Sequence, residues 1–95
     1  MTIIQKETGV TPQFKEPNDI YINSKKCVGI LVEAITGSES KVPSTIIIGI
    51  GMNINQKSFP DPLNQTAISL RQLTKKAYNI KDIKEKVTKE LNHVY

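Results

Sequence analysis

Between Thr45 and Asn55 the chain alternates with a period of two. Ile46, Ile48, Ile50, Met52 and Ile54 fall on one side; Ile47, Gly49, Gly51, Asn53 and Asn55 fall on the other. The alternation predicts a strand whose even side seeks a core, while its odd side loses side-chain bulk before reaching two carboxamides. Near the C-terminus the period changes. Ile80, Ile83, Val87, Leu91 and Val94 recur at spacings of three and four, which predicts an amphipathic helix over 80–94 whose apolar stripe packs on the domain. Another helix is expected over Thr66–Ala77, where Ile68, Leu70 and Leu73 form a weaker stripe.

The remaining elements are punctuated by turn residues. Residues 2–8 read as the last turns of a helix closed by Gly9, which suits a left-handed cap. Thr11–Lys15 reads as a short strand, broken by Pro17-Asn18-Asp19. Asp19–Ile22 is strand-like, and Asn23-Ser24 links it tightly to a longer strand over Lys26–Thr36. A polar loop over 37–43 precedes the alternating strand, and a long loop with Pro60 and Pro62 occupies 56–65, a length often tied to function. Successive strands with short links favour an antiparallel meander. Strands followed by helices give an α+β fold, an antiparallel or mixed sheet with packed helices.

Composition narrows the function classes. Ninety-five residues with 38% hydrophobic content allow one small globular domain, and its core can only be modest. The longest apolar run, Ile46–Ile54, is about half of the roughly 20 residues that a membrane helix needs. The first ten residues lack a secretory pattern, and the single cysteine, Cys27, suits a reducing compartment. These features point to a cytoplasmic protein, in which Asn64-Gln65-Thr66 is a chance sequon. The net charge of +4 is concentrated in residues 75–90, where six lysines interleave with three acids as on a solvated helix face. The few aromatic residues do not interleave with lysines, which argues against nucleic acid.

The bare side of the alternating strand is the main candidate for chemistry. Glycine in a strand admits close approach by a ligand or another backbone, and it also marks bulges or a crossing helix. Asn53 and Asn55 each offer two donors and an acceptor, suited to reading a planar ligand such as a nucleobase. The spacing Gly49-x-Gly51 followed by Ile54 departs from the dinucleotide fingerprint, which needs a third glycine and a helix. Asn18 and Asp19 suit a turn, and Lys25-Lys26 a hairpin tip. A lysine beside a glycine can also hold a carboxylate or phosphate, and an aspartate can hold magnesium. Cys27 reads as buried filler, and His93 as a helix-end histidine with no ligand cluster around it.

Taken in order, Lys15-x-Pro17-Asn18-Asp19-Ile20, then Lys25-Lys26-x-x-Gly29-Ile30-Leu31-Val32-Glu33, then Gly49-Ile50-Gly51-Met52-Asn53-Ile54-Asn55 closely resembles the biotin protein ligases. The stretch Thr66-Ala67-Ile68-Ser69-Leu70 resembles that family's Ala-Thr-Ser-Leu segment, so the likeness runs from about residue 8 to the C-terminus. It implies part of a catalytic domain related to class II aminoacyl-tRNA synthetases. That domain would use ATP and Mg2+ to activate biotin as biotinyl-5′-adenylate, then pass the biotin to a lysine of a carrier. The implied partner is a biotin carboxyl carrier protein or a biotin-dependent carboxylase; separately, a half-domain would expose sheet edge and core, which favours aggregation or a homodimer.

The resemblance also implies roles. Lys26 would contact the biotin carboxylate and the adenylate phosphate. Asn18 and Asp19 would lie at the phosphates, with Asp19 toward magnesium. Gly29 and Leu31 would form part of the biotin wall; Gly49 and Met52 would line the ligand site. Asn53 would hydrogen-bond the adenine, and the loop over 56–65 would fold across it. The family's tryptophan between lysine and proline is Glu16 here, and Arg71 is the chain's single arginine. The chain is therefore expected to be the C-terminal part of the catalytic domain, without the upstream Gly/Arg-rich loop and the C-terminal barrel. The alternative is a non-catalytic remnant that acts as a ligand-binding or interaction module.

Overall fold

A computed structural model describes residues 2–37 and 43–94. Its order is α1 (Thr2–Thr8), β1 (Gln13–Lys15), β2 (Asp19–Ile22), β3 (Lys25–Thr36), β4 (Pro43–Met52), a short 3-10 turn (Leu63–Gln65), α2 (Leu70–Thr74) and α3 (Ile80–Val94). The four strands form one antiparallel sheet in the order β1-β2-β3-β4, the meander expected from the short links. The α+β class holds. Most of the predicted 37–43 loop lies outside the described residues.

Local chemistry explains the boundaries. Gly9 has φ 73 and its N–H donates to the Gln5 carbonyl, closing α1. Asn23 and Ser24 have φ 51 and 66, the positive values that a two-residue hairpin link needs between right-twisted strands. The Asn79 side-chain oxygen accepts from the backbone N–H groups of Lys81 and Asp82, which caps the start of α3.

The helix predicted over Thr66–Ala77 is shorter than expected. Thr66 accepts from the Lys26 N–H at 2.8 Å, and the Ile68 N–H donates to Lys26 O at 3.0 Å, so this segment is committed to β3. The helix can begin only after it. Ser69 is extended, its hydroxyl accepts from the Gln72 N–H, and the Gln72 side chain accepts from the Ser69 N–H. This reciprocal capping box starts α2 at Leu70, and left-handed Lys75 ends it.

The core lies between one sheet face and the helices. Ile20, Ile22, Cys27 and Val28 from the sheet meet Ile3 and Ile4 of α1, Leu70 of α2 and Ile83 of α3, all buried. Ile30, Ile50, Met52 and Ile54 pack against this cluster. The even side of β4 was expected to be buried throughout, but Ile46 and Ile48 are exposed. On the helix side α3 leaves a cavity between Ile48 and its own Val87 and Leu91, and the sheet narrows toward that end. β2 pairs with β3 only between Asp19–Ile22 and Lys25–Gly29, whereas β3 and β4 pair out to Thr36 and Pro43. Past Leu31 the two strands continue as a ribbon with exposed apolar groups on both faces, among them Val32, Ile46 and Ile48 on one and Leu31, Ile35 and Ile47 on the other. No helix among the described residues is long and apolar enough to cross a membrane.

Two outcomes are expected. Ser69→Ala removes the cap and leaves the Gln56 carbonyl without its 2.6 Å hydroxyl donor, costing about 1–3 kcal/mol in a urea melt. The exposed ribbon and the outer edge of β4 should drive self-association that rises with concentration in analytical ultracentrifugation. Placing a lysine on each face, Ile46→Lys with Ile47→Lys, should reduce it.

Candidate functional site

The register puts Asp19, Gly29 and Gly51 in one row across β2, β3 and β4, and Leu31 and Gly49 in the next. These side chains share the face opposite the core. Simple alternation along β3 would place Lys26 with Val28, toward the helices. A register shift between Ile20 and Tyr21 intervenes: Ile20 pairs with Val28 but Tyr21 pairs with Lys26, leaving Cys27 as an extra residue. The bulge turns Lys26 onto the glycine face and buries the Cys27 thiol.

Lys26 then lies flat on the sheet. Its Nζ is 3.1 Å from Asp19 Oδ1. A β-carbon on Gly29 would meet Lys26 Cε at 3.3 Å and Nζ at 3.4 Å, so the missing side chain at Gly29 makes room for the protein's own lysine. Gly49 and Gly51 differ. A β-carbon there would meet only Leu31 Cβ and backbone oxygens at 3.8–3.9 Å, so their surface is open. Both partners of the ion pair are partly exposed, which leaves the ammonium accessible.

Asn53 follows β4 and stays beside Lys26. Its N–H donates to Cys27 O at 2.8 Å, its Nδ2 donates to Lys26 O at 3.4 Å, and its Oδ1 accepts from Gln56 Nε2 at 3.0 Å. Asn55 turns away: its carboxamide donates to Tyr78 O at 2.7 Å and accepts from the Tyr78 N–H at 2.8 Å, tying the strand exit to the segment before α3. The loop over 56–65 is therefore held at its base by Asn55 and by Ser69, whose hydroxyl donates to Gln56 O. Its far end is held by Lys25 Nζ, which donates to Asn64 O at 3.2 Å.

Between loop and sheet lies a cavity of about 290 Å³, lined by Tyr21, Lys26, Asn53, Phe59, Leu63, Thr66 and Ala67. It brings together one cation, one carboxamide, two aromatic rings and an apolar wall. Such a chamber suits a planar heterocycle attached to an anion. Lys15 Nζ sits 4.6 Å from the centre of the Tyr21 ring and adds a second positive charge nearby.

Of the residues singled out from sequence, Asp19, Lys26, Gly29, Leu31 and Gly49 share the bare face, and Asn53 joins Lys26 at the cavity. Asn18 contributes its carbonyl to the Ile30 N–H at the sheet's margin. Met52 is not brought there: it pairs with Val28, and its side chain packs on the opposite face against the core. Sequence reasoning passed over Tyr21, Phe59, Leu63 and Gln56. Tyr21 was recoverable, since it stands two residues from Asp19 in a strand. Phe59 was also visible as the aromatic residue of a polar, proline-containing loop.

Among the described residues no three or more His, Cys, Asp or Glu side chains gather as a metal site. Asp19 offers a single carboxylate, already beside an ammonium. Cys27 is 1% exposed, and burial pushes its thiol up to about 11 from 9.0. It is filler and no nucleophile.

Residues 2–53 match the model of the biotin/lipoate A/B protein ligase family. Over 71 residues the chain is 51% identical to the bifunctional ligase/repressor BirA of Bacillus spizizenii and 49% identical to that of Bacillus subtilis, covering 73% of this chain and 21% of each relative. Among solved structures, the apo form of biotin protein ligase from Aquifex aeolicus aligns with a TM-score of 0.80 at 32% identity. The same enzyme in complex with biotin and ATP aligns with 0.78 at 28% identity. Each alignment covers 97% of this chain but 39% and 37% of the Aquifex chains. The chain thus spans about a fifth of the curated relatives and under two fifths of the solved structures.

The buried thiol generates a pH test. Its proton is held more tightly in the folded state, so this contribution to stability is full below pH 9 and is lost as pH rises toward 11. Urea melts across that range should show a decline that Cys27→Ala removes, and iodoacetamide should label the native thiol at neutral pH only after denaturation.

Proposed function

The chain belongs to the biotin/lipoate A/B protein ligase family, and we propose that its glycine face and loop cavity form the nucleotide side of a biotin-activating site. The reaction begins when a biotin carboxylate oxygen attacks the α-phosphorus of ATP. A P–O bond forms, the bond to the β-phosphate bridge breaks, and pyrophosphate leaves. A carrier lysine amine then attacks the acyl carbon of biotinyl-5′-adenylate, loses a proton and displaces AMP. The carrier is a biotin carboxyl carrier protein or the carrier domain of a biotin-dependent carboxylase.

One observation supports this reading above others: Lys26 and Asn53 border a single cavity beside a sheet surface without β-carbons. The Lys26 ammonium would offset the negative charge that develops where carboxylate meets phosphate, usually the largest contribution in such chemistry. Asp19 and bare Gly29 hold that ammonium in place before the ligand arrives, so little reorganisation is needed. Asn53 would read the adenine, with Tyr21, Phe59 and Leu63 as its apolar surroundings. Asn18 and Leu31 would extend the site along the sheet toward the phosphates and the biotin. Asp19 would be the protein carboxylate to hold a magnesium ion entering with ATP, and the ion would offset charge on the phosphates.

A second reading rests on the cavity's modest charge. Among the described residues Lys26 is the one cation that lines it, and Arg71 lies on α2, outside the lining. A module that binds the adenylate without forming it would need no more. Pyrophosphate release from biotin and ATP separates the two: release by the chain supports the ligase, and binding without release supports the module.

Isothermal titration with a non-hydrolysable biotinyl-adenylate analogue tests the site itself. The chain should bind the analogue, and Lys26→Ala should weaken binding roughly tenfold or more, as expected for loss of a charge-assisted contact. Unchanged affinity would remove Lys26 from the site.

A further inference from the structure

A primary amide can present its two ends in either order, and a nucleobase edge distinguishes them. Adenine offers an N6 amino donor beside the N7 acceptor, which a correctly turned asparagine meets with both ends at once. Guanine presents two acceptors at the corresponding edge, so the same amide satisfies only one of them. The direction in which Asn53 faces therefore bears on which base the cavity takes. This inference rests on the proposed nucleotide reading and extends it to selectivity.

We infer that Gln56 is the specificity-determining positioning residue of the cavity, because its side chain reinforces the orientation of the Asn53 amide. Gln56 Nε2 donates to Asn53 Oδ1 at 3.0 Å while Asn53 Nδ2 donates to the Lys26 carbonyl at 3.4 Å. Turning the Asn53 amide over would set amino group against amino group at Gln56 and carbonyl against carbonyl at Lys26. The Lys26 carbonyl rejects the turned form outright, and Gln56 adds to that preference in its observed orientation. In the observed form each end of the Asn53 amide keeps a second position, one N–H and one lone pair, for a ligand.

The Lys26 carbonyl, a backbone group that cannot turn over, is the fixed reference, and Gln56 reinforces it from a backbone anchored beside Asn53. The Gln56 carbonyl accepts the Ser69 hydroxyl at 2.6 Å, and on either side the Asn55 carboxamide grips Tyr78 and the Lys57 carbonyl accepts from Gln72 Nε2. The Gln56 side chain itself is exposed and outside the core. Its removal therefore spares the fold and loosens the Asn53 amide.

The test compares ATP and GTP binding by titration calorimetry on the full chain, for wild type, Gln56→Glu and Gln56→Ala. A carboxylate at position 56 cannot donate to Asn53 Oδ1 and favours the turned amide, and alanine removes the contact altogether. Wild type should prefer ATP. Both variants should lower the ATP-to-GTP affinity ratio by roughly three- to tenfold, about the factor of one neutral hydrogen bond. Their urea midpoints should match wild type, which a merely structural role would not predict. An unchanged ratio in both variants, with ATP still bound, overturns the role of Gln56 and leaves the nucleotide reading intact. A wild-type chain that binds neither nucleotide overturns that reading and this inference with it.

Discussion

The two backbone hydrogen bonds that Lys26 exchanges with Thr66 and Ile68 organise the molecule. They fasten a chain segment forty residues downstream against the start of β3. The loop between is thereby closed over the sheet, and α2 begins where the pairing stops. The same residue whose side chain crosses the glycine face also holds, through its main chain, the roof above it. Cavity and core are coupled at this point: Leu70, the first residue of α2, is fully buried two positions after the pairing ends.

The glycines do two different jobs that one pattern does not separate. Gly29 accommodates Lys26 from within the protein, whereas Gly49 and Gly51 leave surface open. The alternation in the sequence was enough to foresee a strand with a bare side, and it was right about that side. It did not show that one glycine would be filled internally, because the occupant reaches it only through the bulge at Cys27. A bulge is a mismatch in length between two strands, and neither strand carries it alone.

Much of the framework was legible. Asp19–Ile22 and the helix over 80–94 coincide with the observed elements, as do the closure at Gly9 and the tight link at Asn23-Ser24. Each of these depends on signals within a few residues of itself. What escaped depends on distant partners. The segment 66–68 is helix-compatible on its own and extended only because Lys26 offers it backbone groups. Ile46 and Ile48 are as apolar as Ile50, yet both stay exposed, Ile48 beside a cavity that it shares with Ile80, Val87 and Leu91 of α3. Met52 shows the reverse case, since the plain alternation already put it opposite Gly49 and Gly51, where the structure has it. Asp19, Lys26, Gly29 and Asn53 were recognisable as a group from their order along the chain; their closeness needed the sheet.

The loop over 56–65 is secured at its two ends, through Asn55 and Ser69 on one side and through Lys25, Thr66 and Ile68 on the other. Few of those attachments involve side chains between Lys57 and Asn64. That stretch can therefore change in length and character while floor and frame stay as they are. It is built as an exchangeable cassette: the roof over the cavity can be rewritten without rebuilding the sheet and its anchors beneath.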